Sequence, residues 1–211
     1  MNRTEIRRRI LEENDAVAAS LRDRFARDGT LVVDLVSSPG SGKTALLEAT
    51  ARRLGARHRL AAIVGDIATE LDAGRLTAAG LPARQIVTGG ACHLDARMVA
   101  GALEDDRVLP ADVLFLENVG NLVCPASYAL GEDFKVALLS VTEGADKPFK
   151  YPAIFARAAV TVITKADLLP HVAFDLERAV EQILTLRPDA CVLLTSTVDG
   201  RGLDSWCGLL Q

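Results

Sequence analysis

Residues 31–48 read LVVDLVSSPGSGKTALLE, and the fold is decided there. Val32, Val33, Leu35 and Val36 form a short apolar, β-branched run broken by Asp34, which is the pattern of a buried strand. Ser37-Ser38-Pro39-Gly40-Ser41-Gly42 follows as a loop of small residues. Lys43-Thr44 then opens a segment rich in Ala, Leu and Glu, all good helix formers. A strand, a glycine loop and a helix with Lys-Thr at the junction is the setting a phosphate-binding loop requires. Glycines let successive backbone N–H groups of Gly40, Ser41, Gly42, Lys43 and Thr44 turn toward phosphate oxygens, with Pro39 leading into the binding loop, and the helix N-terminus adds the positive end of its dipole. Lys43 supplies a point charge for the β- and γ-phosphates, and the Thr44 hydroxyl is a candidate Mg²⁺ ligand. One position departs from the pattern: Ser37 stands where the motif begins with glycine. The plain alternative is a glycine-rich turn that binds nothing.

Composition sets the class. The chain has 211 residues, 49% of them hydrophobic and only 4% aromatic, so its core is built from Ala, Val, Leu and Ile. The net charge of −4 gives no footprint for nucleic acid. No apolar run approaches the roughly 20 residues of a membrane span, and the N-terminal residues lack the apolar stretch of a signal peptide. Four cysteines in a chain this size do not read as a disulfide framework. A cytoplasmic location is expected.

Taken in order, residues 4–27 read as an amphipathic helix. Ile6, Ile10, Val17, Leu21 and Phe25 lie near one face, Thr4 is a candidate start cap, and Gly29 can close the end. The helix either packs on the domain or serves as a partner-docking arm. Further strands are expected at 59–64, 85–88, 113–117, 135–141, 159–164 and 191–195, with helices near 94–103, 152–157, 172–186 and 201–210. Apolar strands alternating with helices predict an α/β fold. Its mostly parallel seven-stranded sheet should be covered by helices on both faces. No linker or repeat divides the sequence, so residues 1–211 are expected to form a single domain. In such sheets ligands bind at the carboxyl ends of the strands, where every unusual polar motif of this chain falls.

Glu117-Asn118-Val119-Gly120 follows the fourth strand. The acid is a candidate for Mg²⁺ or its waters, and Gly120 can offer a backbone N–H to a γ-phosphate. Losing that phosphate would release the loop, making it a switch. Asp66, at the end of the second strand, is a second candidate for the Mg²⁺ shell or for orienting the attacking water, with Asp72 a weaker one. Thr164-Lys165-Ala166-Asp167 follows the sixth strand and is close to the Asn-Lys-x-Asp pattern of guanine sites. The Asp167 carboxylate would accept from the two guanine donors while the Lys165 stem packs along the base. Thr195-Ser196-Thr197 follows the seventh strand and would lie near the guanine oxygen. A site that pairs buried polar groups with guanine rejects adenine, which leaves them unpaired.

Cys92-His93 follows a Gly-Gly turn, and Cys124 sits just past the switch glycine. Thiolate and imidazole suit Zn²⁺ or Ni²⁺, yet three ligands do not close a tetrahedral site. From spacing alone the metal signal is weak, and a buried cysteine with an ordinary loop histidine is the favoured reading. Cys191 and Cys207 read as core residues.

SSPGSGKT, GDIATELDA, GGACHLDA, ENVGNLVCP, EGADKPFKYP and TKADLLP occur together and in order. In this the chain resembles the hydrogenase nickel-incorporation GTPases of the HypB family, from about Leu31 onward. The resemblance implies a fold of the SIMIBI class of phosphate-loop GTPases and slow hydrolysis of GTP to GDP. It also implies GTP-linked homodimerisation and a Zn²⁺/Ni²⁺ site of Cys92, His93 and Cys124 at the dimer interface. The implied partners are a HypA-type nickel metallochaperone, docking on the N-terminal helix, and the [NiFe]-hydrogenase large subunit. Some family members carry Cys-rich or His-rich nickel motifs at their N-terminus, but residues 1–30 here contain neither residue type. Two other readings are open. One is a urease accessory GTPase, whose Cys-Pro-His motif differs from Cys92-His93. The other is a phosphate-loop kinase using Lys147, Lys150 and Tyr151 for an acceptor.

Overall fold

The computed structural model describes residues 2–67, 71–104 and 108–211. Ala68-Thr69-Glu70 of the GDIATELDA segment lie outside the described residues. Seven strands, β1 (Leu31–Ser37), β2 (Leu60–Asp66), β3 (Ala83–Val87), β4 (Val113–Glu117), β5 (Phe134–Ser140), β6 (Val160–Thr164) and β7 (Cys191–Leu194), form one sheet. Their order is β3-β2-β4-β1-β5-β6-β7. Every neighbouring pair is parallel, so the sheet is wholly rather than mostly parallel.

The helices are α1 (Arg3–Asp28), α2 (Lys43–Leu54), α3 (Leu71–Ala78), α4 (Ala96–Ala102), α5 (Lys147–Lys150), α6 (Pro152–Arg157), α7 (Leu176–Leu186) and α8 (Leu203–Gly208). They cover both faces, and strand alternation shows how. Val33 and Leu35 of β1 point into a core shared with Leu46, Leu47 and Trp206 of α2 and α8. Val32 points the other way, toward Phe25 of α1 and Val99 of α4. Val36 joins Phe155 and Ile183 of α6 and α7. A strand buried on both faces reads as an unbroken apolar run, which is why the strands were legible.

Four expectations need correction. Asn2, not Thr4, caps α1, in a capping box with Glu5; Gly29 does close it in the left-handed conformation. Only the second half of α1 buries its stripe: Leu21 and Phe25 are covered, while Ile6 and Ile10 are 43% and 50% exposed. The helix expected from 172 begins at Leu176, because Asp175 caps it and Ala166–His171 form a 3₁₀ turn. Cys191 lies on an edge strand and is half-buried rather than core. Helix α3 was not foreseen.

Asp34, the polar break in the first strand, is fully buried. It pairs with Lys135 of β5 at 2.5 Å and accepts from Asn118 Nδ2 at 3.1 Å. Lys135 also meets Glu132 at 2.9 Å. Burial pushes Lys135 down, but Asp34 and Glu132 outweigh it and hold the ammonium charged. A buried pair like this is costly to break from one side, because the remaining charge is stranded.

Candidate functional site

The order of the sheet puts β1 at its centre, flanked by β4 and β5. The loop leaving β1 therefore meets polar segments from both sides. Gly40 and Gly42 adopt φ of 74° and 98°, a region open to glycine and strained for other residues, and α2 begins at Lys43. The loop wraps a cavity of about 430 Å³ lined by Gly42, Lys43, Thr44, Asp66, Glu117 and Gly120, among others. Lys43 Nζ donates to Ser37 Oγ at 3.1 Å. The serine that departs from the motif thus gives the lysine a neutral resting partner. Burial pushes the Lys43 ammonium below its ordinary value, and Glu117 opposes that shift.

Glu117 ends β4 and is 3% exposed. Thr44 Oγ1 donates to its Oε1 at 2.8 Å, while Oε2 has no hydrogen-bond partner among the described residues. Burial raises its carboxyl to about 7. An orphaned carboxylate oxygen beside a threonine hydroxyl is a donor set suited to a hard, oxygen-seeking cation, and the residues fit Mg²⁺. Asp66 lines the same cavity, its Oδ1 accepting from Ile67 N at 2.5 Å. Gly120 packs so closely on the loop that a Cβ there would lie 2.9 Å from Pro39 Cγ. Two further lining residues, Asp72 and Arg75, pair with each other at 3.4 Å. Arg75 also reaches Glu48 at 3.1 Å. Arg75 was missed in the sequence. Its signal would have been a position three residues after Asp72, one helical turn away.

The other side of the loop meets β6. Thr164 Oγ1 donates to Ser41 O at 2.7 Å, and Lys165 Nζ donates to Gly40 O at 2.8 Å. The threonine that replaces asparagine thus still ties the strand end to the phosphate loop. Lys165 has φ 59°, a left-handed conformation uncommon for a non-glycine residue. Ser196 Oγ donates to Asp167 Oδ1 at 2.6 Å, and Ala166 N donates to Thr195 O at 3.0 Å. The two segments expected at the base are therefore joined. On the β5 side, Lys147 Nζ meets Glu143 at 2.6 Å and Ser38 Oγ at 2.6 Å, while Lys150 turns to Asp146 at 2.7 Å. Lys147 Nζ lies 5.6 Å from the Tyr151 ring centroid and shares a hollow with that ring, but Lys150 does not line it, so the three kinase candidates do not all converge.

Cys92, His93 and Cys124 do converge: their ligand atoms all lie within 4.8 Å of one another. Cys92 Sγ is 2.9 Å from Cys124 Sγ and 3.8 Å from His93 Nδ1. The Cys92 contact and burial both push the Cys124 thiol up, and burial pushes His93 down toward the neutral, ligating form. Tyr128 stacks on His93 with ring centroids 3.9 Å apart. Cys124 opens a 3₁₀ turn only four residues beyond Gly120. Two soft thiols and an imidazole suit a late first-row or d¹⁰ cation.

Comparison with known proteins agrees with this arrangement. Residues 31–193 match the family model described as CobW/HypB/UreG, nucleotide-binding domain. The chain is 48% identical over 207 residues to the hydrogenase maturation factor HypB of Azotobacter chroococcum, covering 98% of this chain and 68% of that protein. It superposes on the crystal structure of HypB from Helicobacter pylori in complex with nickel with a TM-score of 0.89 and 40% identity, covering 94% of this chain and 93% of that one. A more distant likeness concerns the fold alone. It is to the GDP complex of the signal recognition particle receptor FtsY from Elizabethkingia anophelis, at a TM-score of 0.54 and 14% identity, covering 78% of this chain and 57% of that chain.

Proposed function

The chain belongs to the HypB family of hydrogenase maturation GTPases, and from that premise we propose that it works as a GTP-hydrolysing nickel metallochaperone within a single GTPase domain. Residues 39–44 wrap the phosphates of GTP or GDP, Lys165, Asp167, Thr195 and Ser196 hold the base, and Thr44, Asp66 and Glu117 hold Mg²⁺. That cation would neutralise charge on the β- and γ-phosphate oxygens. Lys43 and the Gly120 N–H stabilise the charge that develops in transfer to water, and Asp66 orients the water. Donors fixed in place before the reaction begins do not have to reorganise as charge develops, which is why they lower the barrier so strongly.

Cys92, His93 and Cys124 take Ni²⁺ or Zn²⁺ as cargo. Three ligands leave a four-coordinate ion one short, which supports a site shared across a GTP-linked homodimer. Ile6 and Ile10, exposed on α1, flank a hollow that also holds His93 and Cys124. That supports α1 as the arm on which a HypA-type metallochaperone docks, before nickel passes to the [NiFe]-hydrogenase large subunit. Four free cysteines suit a reducing cytoplasm, and no membrane or nucleic-acid partner is invoked. No described helix is long and apolar enough to cross a membrane.

One observation carries the reading: Cys92 and His93 of the β3–α4 loop gather with Cys124, which lies on the loop that continues from Glu117 and Gly120. The test is size-exclusion chromatography with metal analysis, run with GDP and with a non-hydrolysable GTP analogue. A dimer carrying about one Ni²⁺ or Zn²⁺ per pair of chains, seen only with the analogue, is expected. A metal-free monomer in both states would overturn the assignment.

A further inference from the structure

The loop that carries Cys92 and His93 lies between β3 and α4 and has no helix or strand of its own. Its backbone groups need partners all the same. Asparagine side chains from elsewhere in the chain supply them at alternate residues. Asn121 Nδ2 donates to Cys92 O at 3.2 Å. Asn118 Oδ1 accepts from Leu94 N at 3.0 Å. Asn14 Oδ1 accepts from Ala96 N at 2.9 Å. His93 is thus bracketed on both sides.

Each asparagine also has a second hold. Asn14 Nδ2 donates to Ala129 O at 2.8 Å, next to the tyrosine that stacks on His93. Asn121 Oδ1 accepts from Val123 N at 2.9 Å, next to Cys124. Asn118 Nδ2 donates to Asp34 at 3.1 Å, and Asp34 is fixed by Lys135, whose Nζ donates onward to Tyr128 O at 2.9 Å. Two separate loops bring Cys92-His93 and Cys124 together, and each asparagine ties one loop to its surroundings or to the other.

The choice of residue makes physical sense. A carboxamide has a donor and an acceptor on a short stem, so a single side chain can bridge two backbones. It is neutral, so it does not compete for a cation or alter the charge of the site.

We propose that Asn14, Asn118 and Asn121 are positioning residues of the metal centre, fixing the Cys92–His93 loop against α1 on one side and against the switch loop on the other. This rests on the metal reading of Cys92, His93 and Cys124 given above. Outer groups that orient metal ligands commonly matter by 10–100-fold in affinity, and the same range, about 10-fold or more, is expected here.

Asn118 lines the phosphate cavity, so its replacement would mix nucleotide and metal effects. Asn14 and Asn121 do not line that cavity and are the residues to vary. The experiment is Ni²⁺ titration of the full chain followed by the thiolate-to-nickel charge-transfer band, on wild type, Asn14→Leu, Asn121→Leu and Cys92→Ala. GDP affinity is measured in parallel. Both asparagine variants should bind Ni²⁺ about 10-fold or more weakly, with a shifted band and unchanged GDP affinity. Wild-type Ni²⁺ affinity and band in both would overturn the proposal, even if thermal stability falls, because the asparagines would then be packing residues only. Asn14 is deeply buried, so if Asn14→Leu does not fold, the half-exposed Asn121 decides alone. Undiminished Ni²⁺ binding by Cys92→Ala would instead sink the metal reading, and this proposal with it.

Discussion

Thr44 Oγ1 donates to Glu117 Oε1 across 2.8 Å, joining the first turn of α2 to the end of β4. The bond satisfies one carboxylate oxygen and leaves the other bare in a buried site. Burial raises its carboxyl to about 7 from an ordinary 4.5, so the metal-free fold favours the protonated form below about pH 7. Stability from this group is therefore fully present below about pH 4.5 and is lost as pH rises through 7. A shift of this size corresponds to about 3 kcal/mol. Thermal melts of the metal-free protein at pH 5 and pH 8 should show a loss at the higher pH that Glu117→Gln largely removes. Saturating Mg²⁺ with GDP should flatten the wild-type dependence as well. Equal pH profiles for wild type and Glu117→Gln would refute the buried-acid account.

Lys43→Ala removes the buried cation of the phosphate loop. Turnover should fall on the order of 100-fold or more, with weaker nucleotide binding. Steady-state phosphate release and nucleotide titration check it, and wild-type turnover in the variant would contradict the phosphate-loop reading.

Asp167→Asn should move preference from GTP toward XTP, whose base carries a carbonyl where guanine has its amine. The motivation is Asp167 held against Ser196 at 2.6 Å. Competition among GTP, XTP and ATP is the measurement. Retained GTP selectivity would take Asp167 out of the base site.

Gly120→Ala places a methyl 2.9–3.0 Å from Pro39 atoms, so the switch loop must back away from the phosphate loop. Hydrolysis should drop well below wild type while circular dichroism remains native. Full activity would show that the close approach has no catalytic consequence.

Cys92→Ala and Cys124→Ala should each abolish tight Ni²⁺ and Zn²⁺ binding. The Cys124 thiol sits above its ordinary value, and metal must displace its proton. Wild-type metal affinity should therefore climb with pH into and beyond the usual thiol range, with His93 already neutral below it. Titrations at pH 6.5, 7.5 and 8.5 test the slope, and a flat profile would rule out thiolate ligation.

Much of the fold was legible because its strands are covered on both faces and so read as continuous apolar runs. Leu31–Ser37 and Val160–Thr164 are examples, their ends marked by loop residues. What was not legible came from packing between distant segments. Nothing local in Ile6 and Ile10 distinguishes them from Leu21 and Phe25; only the end of the fold beneath them leaves them bare. The break at Asp34 gained its meaning from Lys135, 101 residues away. The roles of Ser37 and Thr164 were similarly hidden. Both looked like departures from a motif, and both turn out to make a hydrogen bond to or from the phosphate loop. Asn14 gave no signal, since an asparagine on a polar helix is unremarkable until its partners are known.

The strand order lays the functional loops out as a line. Along one edge of the sheet come the Cys92–His93 loop after β3, Asp66 after β2, Glu117 to Cys124 after β4, the phosphate loop after β1, and the base segments after β6 and β7. Under the proposed assignment the nucleotide lies along this line with its last phosphate nearest the thiols and its base farthest away. The two chemistries thus share a single junction. A change of base is made several strands from the cargo, whereas the loss of one phosphate is made next door to it. On that assignment, the identity of the fuel and the grip on the cargo would be altered separately, because only the number of phosphates would be read by both.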